Sequence, residues 1–111
     1  MEQEVFFKDY KSFISFQSNE YFKTTLFENE HILIGLNCME PGQVTEKHAH
    51  EVQVRFYLVL EGTGQVRVGN LETEAGPGTV IWIPAGHTHK VVNTGAQNMI
   101  LLVGMAPAQA D

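Results

Sequence analysis

The sequence has a single cysteine, Cys38, among its 111 residues. Because a disulfide needs two cysteines, no intrachain disulfide can form, and such sparse cysteine use is typical of proteins from reducing compartments. We interpret Cys38 as a small buried hydrophobic residue. Packing must therefore hold the fold together, and one domain of this length buries enough surface to do so.

Long apolar runs and clusters of basic residues are also missing. No stretch approaches the ~18 consecutive apolar residues of a membrane span, and the acidic N-terminus lacks the basic and apolar segments of a signal peptide. The chain has 7 basic and 13 acidic residues, a net charge of −6, and its lysines and arginines are scattered. This charge does not suit a phosphate backbone. We expect a cytoplasmic protein that binds neither nucleic acid nor membranes.

Beyond residue 30, short β-branched and apolar runs alternate with glycine-containing turns, which is the pattern of an all-β protein. Glycine and proline occur where consecutive strands must reverse direction, because both residues suit tight turns. The pair Gly69-Asn70 predicts a two-residue hairpin turn. The predicted strands are residues 31–39, 56–60, 65–68, 71–74, 79–83, 90–92 and 99–103.

The first 30 residues differ in composition from the rest of the chain, because they hold six of the seven phenylalanines. They have no evident core of their own. The strand runs 56–60, 80–83 and 100–103 are apolar on both faces, whereas a strand with one face in water alternates apolar with polar residues. The outer face of the sheet is therefore expected to be covered by the N-terminal arm or by a second subunit. We predict an arm packed on the sheet and a homodimer.

Two histidines, His48 and His50, stand one residue apart ahead of the run 56–60. Side chains at i and i+2 of a strand project from the same face, so both imidazoles can reach one ion. Taken alone, this spacing is weak support for a metal site. A second segment, residues 78–93, contains His89 and completes a larger pattern.

Together the two segments resemble the paired sequence motifs of the cupin family. The first motif, G-x5-H-x-H-x(3,4)-E-x6-G, is matched in spacing, but Arg55 takes the place of its glutamate. Its other positions are Gly42, His48, His50 and Gly62. The second motif, G-x5-P-x-G-x2-H-x3-N, is complete in Gly78, Pro84, Gly86, His89 and Asn93. Two motifs in register, within a resemblance that covers about residues 32–105, indicate the fold.

The resemblance implies a double-stranded β-helix, or jelly-roll barrel, made of two antiparallel sheets. We accordingly expect an arm at residues 1–30, the barrel at residues 31–105 and a flexible tail at residues 106–111. The resemblance also implies a divalent transition metal, Zn, Ni, Fe, Mn or Cu, in the mouth of the barrel. Its implied ligands are His48, His50 and His89.

Arg55 weakens the expected metal site. A guanidinium has donors only and cannot coordinate a cation. Two unit charges 4 Å apart at an effective dielectric near 20 interact by about 4 kcal/mol, and a divalent ion beside Arg55 is repelled by roughly twice that. Gln53 and Glu51 share strand parity with residue 55, so each is a candidate replacement ligand, with Gln53 preferred. A site of three imidazoles alone, or no metal at all, stays open.

Arg55 also suggests a different function, because an inward guanidinium can hold a carboxylate or phosphate through two parallel hydrogen bonds. The alternative is that Arg55 extends to the rim and pairs with a surface acid. We predict Arg55 and Tyr57 as ligand-binding residues, while Tyr57 and Trp82 also suit the core or the wall of a cavity. His87, in a variable motif position beside a turn, is interpreted as a rim residue.

Three functions remain open from the sequence. The first is a metal-dependent enzyme that acts on a small polar molecule. The second is a non-catalytic or metal-free binding protein in which Arg55 contacts an anionic ligand. The third is a metal-free sugar-processing enzyme that uses a histidine as general base. Since this fold supports many chemistries, the sequence names no catalytic residue, substrate or reaction.

Overall fold

The computed structural model describes residues 4–45 and 51–108. Within them the chain forms two antiparallel sheets, which confirms the predicted all-β jelly roll. The strands are β1 (Phe22–Glu28), β2 (Leu33–Met39), β3 (Val54–Glu61), β4 (Gly64–Val68), β5 (Leu71–Ala75), β6 (Val80–Ile83), β7 (His89–Val92) and β8 (Met99–Ala106), preceded by a 3₁₀ turn at Tyr10–Phe13. The larger sheet has the order β1-β2-β8-β3-β6 and the smaller sheet the order β5-β4-β7.

The predicted hairpin turn is confirmed between β4 and β5. Val68 pairs with Leu71, which leaves Gly69 and Asn70 as the two loop residues. Gly69 has φ +58°, a left-handed conformation that glycine adopts without steric cost. The turn aligns β4 and β5, two of the three strands of the smaller sheet, in direct register.

Strand β1 lies within the region that the sequence suggested to be only an arm. It pairs antiparallel with β2 from Phe22 opposite Cys38 to Glu28 opposite Leu33, with a register shift between Thr25 and Phe27. The boundary expected at residue 31 therefore falls inside the larger sheet. The arm proper consists of the described residues before β1.

The main core lies between the two sheets. Alternate residues of β3, β6 and β8 face alternate residues of β4 and β7, as the two-residue period of strands requires. The same interior holds the buried ends of β2 and β5. Its buried members are Met39, Tyr57, Val59, Val66, Ala75, Ile81, Ile83, Val91, Met99, Leu101 and Val103.

The N-terminal arm packs on the outer face of the larger sheet. There Leu36, Cys38 and Ile100 form a second buried cluster, and burial raises the pKa of the Cys38 thiol. The interpretation of Cys38 as a buried residue is thus confirmed. The partly buried residues packed on this cluster are Tyr10, Phe13, Ile14, Phe16, Phe22 and Leu60.

Polar contacts fix the position of the arm. The Tyr10 hydroxyl donates a hydrogen bond of 2.9 Å to the carboxylate of Glu61, at the end of β3. The Lys8 ammonium donates to the Leu26 carbonyl at 2.6 Å and lies 4.8 Å from the centre of the Phe27 ring. These contacts join the arm to both β1 and β3.

The other end of the outer face is exposed at the edge strand β6. Ile81 and Ile83 point into the core, so Val80 and Trp82 point outward and are 65% and 61% exposed. Trp82 is therefore not a core residue, but it lines a small groove of about 50 Å³ with Phe56 and Gly104, in agreement with the alternative of a cavity wall. Among the described residues no helix is long and apolar enough to cross a membrane.

The C-terminal segment is packed further than the sequence suggested. Ala106 belongs to β8, and Ala108 is 7% exposed. The carbonyl of Pro107 accepts a hydrogen bond from the Gln53 side chain. The expectation of a loose tail from residue 106 is wrong for residues 106–108, and the rest of that tail lies outside the described residues.

The arm offers a direct test of this packing. Phe13→Ala removes a ring that covers the outer cluster, and we expect a loss of about 1–3 kcal/mol in the free energy of unfolding, less than for a fully buried phenylalanine. Phe7→Ala is the matched control, because Phe7 is 90% exposed. Urea denaturation measures both variants. Equal unfolding midpoints would contradict the proposed role of the arm.

Candidate functional site

Strands β3 and β7 bring the predicted site residues together inside the barrel. Tyr57 and Val59 of β3 are buried in the core between the sheets, and Arg55 lies on the same face because it is two residues from Tyr57. His89 is the first residue of β7 in the opposite sheet and is 3% exposed. The two sheets thus place a guanidinium and an imidazole opposite each other.

Arg55 points into the barrel and contacts side chains from both sides of it. Its Nη1 lies 3.5 Å from Nε2 of His89, and its Nη2 donates a hydrogen bond of 2.8 Å to Oε1 of Gln53. Because a guanidinium can only donate, Nε2 of His89 is the acceptor in the first contact. The structure thus places Arg55 in the interior rather than on a surface acid.

Gln53 holds Arg55 in place and is itself 6% exposed. While its Oε1 accepts from Arg55, its Nε2 donates a 3.0 Å hydrogen bond to the Pro107 carbonyl. Both ends of the amide are therefore used within the protein. As a metal ligand, Gln53 would have to use Oε1, which already accepts a hydrogen bond from Arg55.

Tyr57 forms the wall behind this pair. It is 1% exposed, and its ring centre lies 6.0 Å from that of His89 in an edge-to-face arrangement with an interplanar angle of 62°. Burial raises the pKa of the Tyr57 hydroxyl, and the charge and hydrogen bonding of Arg55 act in the opposite direction. With its pKa raised, Tyr57 is a neutral phenol near neutral pH, able to donate or accept a hydrogen bond.

The remaining predicted site residues do not join this group. His48 and His50 lie outside the described residues. Glu51, the other candidate replacement ligand, is exposed, and His87 is exposed as expected for a rim residue. In residues 4–45 and 51–108, no group of three or more His, Cys, Asp or Glu side chains could hold a metal ion.

The described donor set does not fit a divalent cation. Nε2 of His89 and Oε1 of Gln53 are the candidate ligand atoms, and each faces a donor nitrogen of Arg55. A cation placed there meets a positive charge and competes for the same lone pairs. The arrangement is suited instead to groups that accept hydrogen bonds and carry negative charge.

A cavity of about 360 Å³ adjoins the site on the inner face of the larger sheet. Met105 and Val103 belong to its lining and pair directly across strands with Arg55 and Tyr57. The other lining residues are Lys23, Thr24, Thr25, Leu33, Gly35 and Asn37. This cavity was not predicted from the sequence because β1, which forms one side of it, was not predicted. The sequence signal for β1 was the segment FKTTLFE, in which Lys23 and Thr25 alternate with Phe22 and Thr24 as in a strand with two different faces.

Comparisons with known proteins agree with the observed fold. Residues 35–105 match the family model of the Cupin domain. The crystal structure of TT1209 from Thermus thermophilus shares 36% identity and a TM-score of 0.89, covering 93% of this chain and 98% of that one.

Two further relatives are more distant in sequence. A Klebsiella pneumoniae protein described as having a double-stranded β-helix domain shares the fold at 21% identity and a TM-score of 0.88, with 99% of this chain and 95% of that one covered. The uncharacterized protein SCO3923 of Streptomyces coelicolor is 28% identical over 74 residues, or 67% of this chain and 70% of that protein. With the two sequence motifs, the double-sheet barrel and the family match in agreement, this chain belongs to the cupin family.

Proposed function

We propose that this cupin binds a small anionic molecule in its barrel through Arg55, without a metal ion. The observation that supports the proposal is the electrostatic setting of Arg55. Among the residues that the structure describes, the side-chain partners of Arg55 are Gln53, His89 and Tyr57, and no carboxylate pairs with it. A partly buried cation without a counter-charge is costly, and an anionic ligand removes that cost.

The geometry of Arg55 suits an oxyanion. A guanidinium has five N–H donors in a planar fork, more than the contacts to Gln53 and His89 use. Carboxylates and phosphates accept two parallel hydrogen bonds from such a fork. Because Gln53 fixes the side chain, little conformational entropy is lost when the ligand binds. Tyr57 and His89 then line the site beside the bound group.

Replacing Arg55 tests this proposal. We expect Arg55→Ala to weaken binding of small carboxylates by about tenfold or more, because a hydrogen bond to a charged group contributes about 1.5–3 kcal/mol. Arg67→Ala is the matched control, since Arg67 lies on β4 and donates to the Gly69 carbonyl. Titration calorimetry with acetate, pyruvate and inorganic phosphate measures the affinities. Equal affinities of wild type and Arg55→Ala would contradict the proposal.

A metal site formed by His48, His50 and His89 is the second candidate. The supporting observation is that His89 is buried and faces the interior from β7. This candidate requires Arg55 to leave Nε2 of His89. Zn, Ni, Fe, Mn or Cu are the ions that such nitrogen ligands suit.

Elemental analysis separates the two candidates. We expect untagged protein purified without chelator to hold far less than one metal ion per chain. Arg55→Glu exchanges a repelling cation for a carboxylate ligand, and we expect it to raise zinc affinity by about tenfold or more. Stoichiometric metal in the wild type that is lost in both His48→Ala and His89→Ala would favour the metal candidate instead.

We also propose that the protein is a homodimer in the cytoplasm. Trp82 and Val80 leave apolar surface exposed on β6, and Phe6 and Phe7 of the arm are 68% and 90% exposed. Exposed apolar surface of this kind typically marks an interface, and a second copy of the chain is our proposed partner. The single cysteine suits a reducing compartment.

Light scattering tests the dimer. We expect a dimer at micromolar concentration and a monomer for Trp82→Asp, because a carboxylate at the interface must be buried without a partner. Leu71→Asp is the control, since Leu71 is 81% exposed on the smaller sheet. A monomeric wild type, or a Trp82→Asp variant that is still dimeric, would show that β6 forms no such interface.

A further inference from the structure

We propose that the cavity beside Arg55 holds the far end of the ligand, and that Lys23 binds a second anionic group there. The ligand is then an organic dianion with an apolar middle. This inference rests on the proposed function, because it takes Arg55 as the contact for the first anionic group. It adds the class of the ligand and a residue that selects it.

The cavity and Arg55 belong to one continuous surface. Side chains paired directly across neighbouring strands point to the same face of a sheet. Arg55 on β3 pairs with Met105 on β8, and Met105 pairs with Leu33 on β2. Met105 and Leu33 both line the cavity. The direct row from Arg55 ends on β1 at the exposed Glu28, which does not line the cavity. The floor of the cavity therefore begins beside Arg55 and runs diagonally across the larger sheet toward Lys23 on β1.

The far end of this surface is polar and positively charged. Lys23 on β1 pairs with Asn37 on β2, so the ammonium and the amide side chains share the inner face. Thr25 adds a hydroxyl group to the cavity lining, which contains no acidic residue among those the structure describes. Asn37 is 8% exposed. In a chain with a net charge of −6, two cations on one inner face point to a negatively charged ligand.

The middle of the surface is apolar. Leu33, Val103 and Met105 line it, and Gly35 contributes no side chain. A Cβ atom at residue 35 would approach the Thr24 carbonyl oxygen to 3.0 Å, so a larger residue would be crowded there. Glycine therefore leaves this part of the cavity floor without a side chain. A volume of about 360 Å³ suits a small metabolite.

The spacing of the two cations decides the length of the ligand. Arg55 and Lys23 lie three strands apart in the order β1-β2-β8-β3, and neighbouring strands are about 4.8 Å apart. Lys23 also lies in the cross-strand row of Val59, four residues along β3 from Arg55 at about 3.3 Å per residue. Both side chains are long, but the distance between their strands is too large for one carboxylate or phosphate to bridge. A dianion with several carbon atoms between its charged groups fits this arrangement.

Methionine methyl NMR detects this binding mode. Protein labelled with ¹³C-methyl methionine is titrated with dicarboxylates from succinate to suberate and with monocarboxylates of matched length. We expect the Met105 methyl resonance to shift, because Met105 lines the cavity. The Met39 and Met99 methyl groups are internal controls, since both residues are fully buried in the core.

Two lysine variants test the role of Lys23. We expect Lys23→Gln to weaken binding of the best dicarboxylate by about fivefold, the scale of an exposed charge pair, and to leave monocarboxylate affinity unchanged. Lys11→Gln is the matched control, since Lys11 is exposed on the 3₁₀ turn of the arm. A dicarboxylate affinity that is equal in Lys23→Gln and Lys11→Gln would overturn the inference.

The outcomes separate this inference from the function on which it rests. Carboxylates that bind through Arg55 with no preference for dicarboxylates, or without a shift of the Met105 resonance, would overturn the role of the cavity and leave anion binding intact. If neither carboxylate series binds and Arg55→Ala changes nothing, both proposals are wrong. A preference for dicarboxylates that disappears in Lys23→Gln alone supports both.

Discussion

The contact between Arg55 and His89 is the interaction on which our proposed function depends. A guanidinium nitrogen lies 3.5 Å from the imidazole nitrogen that a metal ion would need, and the guanidinium brings a positive charge with it. The same atoms that oppose a cation attract an oxyanion. Arginine at the glutamate position of the first motif thus places a positive charge where the family pattern has a negative one, and we propose that the site prefers an anion for this reason.

The surrounding structure holds Arg55 where this charge takes effect. Strand β3 is bonded on both sides, to β6 and to β8, so its inward residues have fixed positions. Gln53 then joins Arg55 to the carbonyl of Pro107, just after β8. The buried Tyr57 ring packs edge-to-face on the His89 ring. The site is therefore built on rigid strands rather than on loops, a condition for precise recognition.

Much of the fold was predictable because its signals are local. Turn glycines and β-branched runs located the seven strands from β2 to β8, with ends differing by a few residues. Strand β1 was missed because its aromatic residues were assigned to a covering arm. The direction of Arg55 was left open, because a long side chain reaches either the interior or the rim. It is fixed by Gln53 and by His89 from the other sheet, a long-range contact that no local pattern contains.

In our proposal Arg55, rather than a metal ion, occupies the space beside His89. The most direct measurement is a crystal structure of the untagged protein grown with equimolar zinc, with anomalous scattering recorded at the zinc edge. We predict electron density for the Arg55 guanidinium within hydrogen-bonding distance of Nε2 of His89 and no anomalous peak there. A zinc peak coordinated by His89, with Arg55 turned away, would contradict the account.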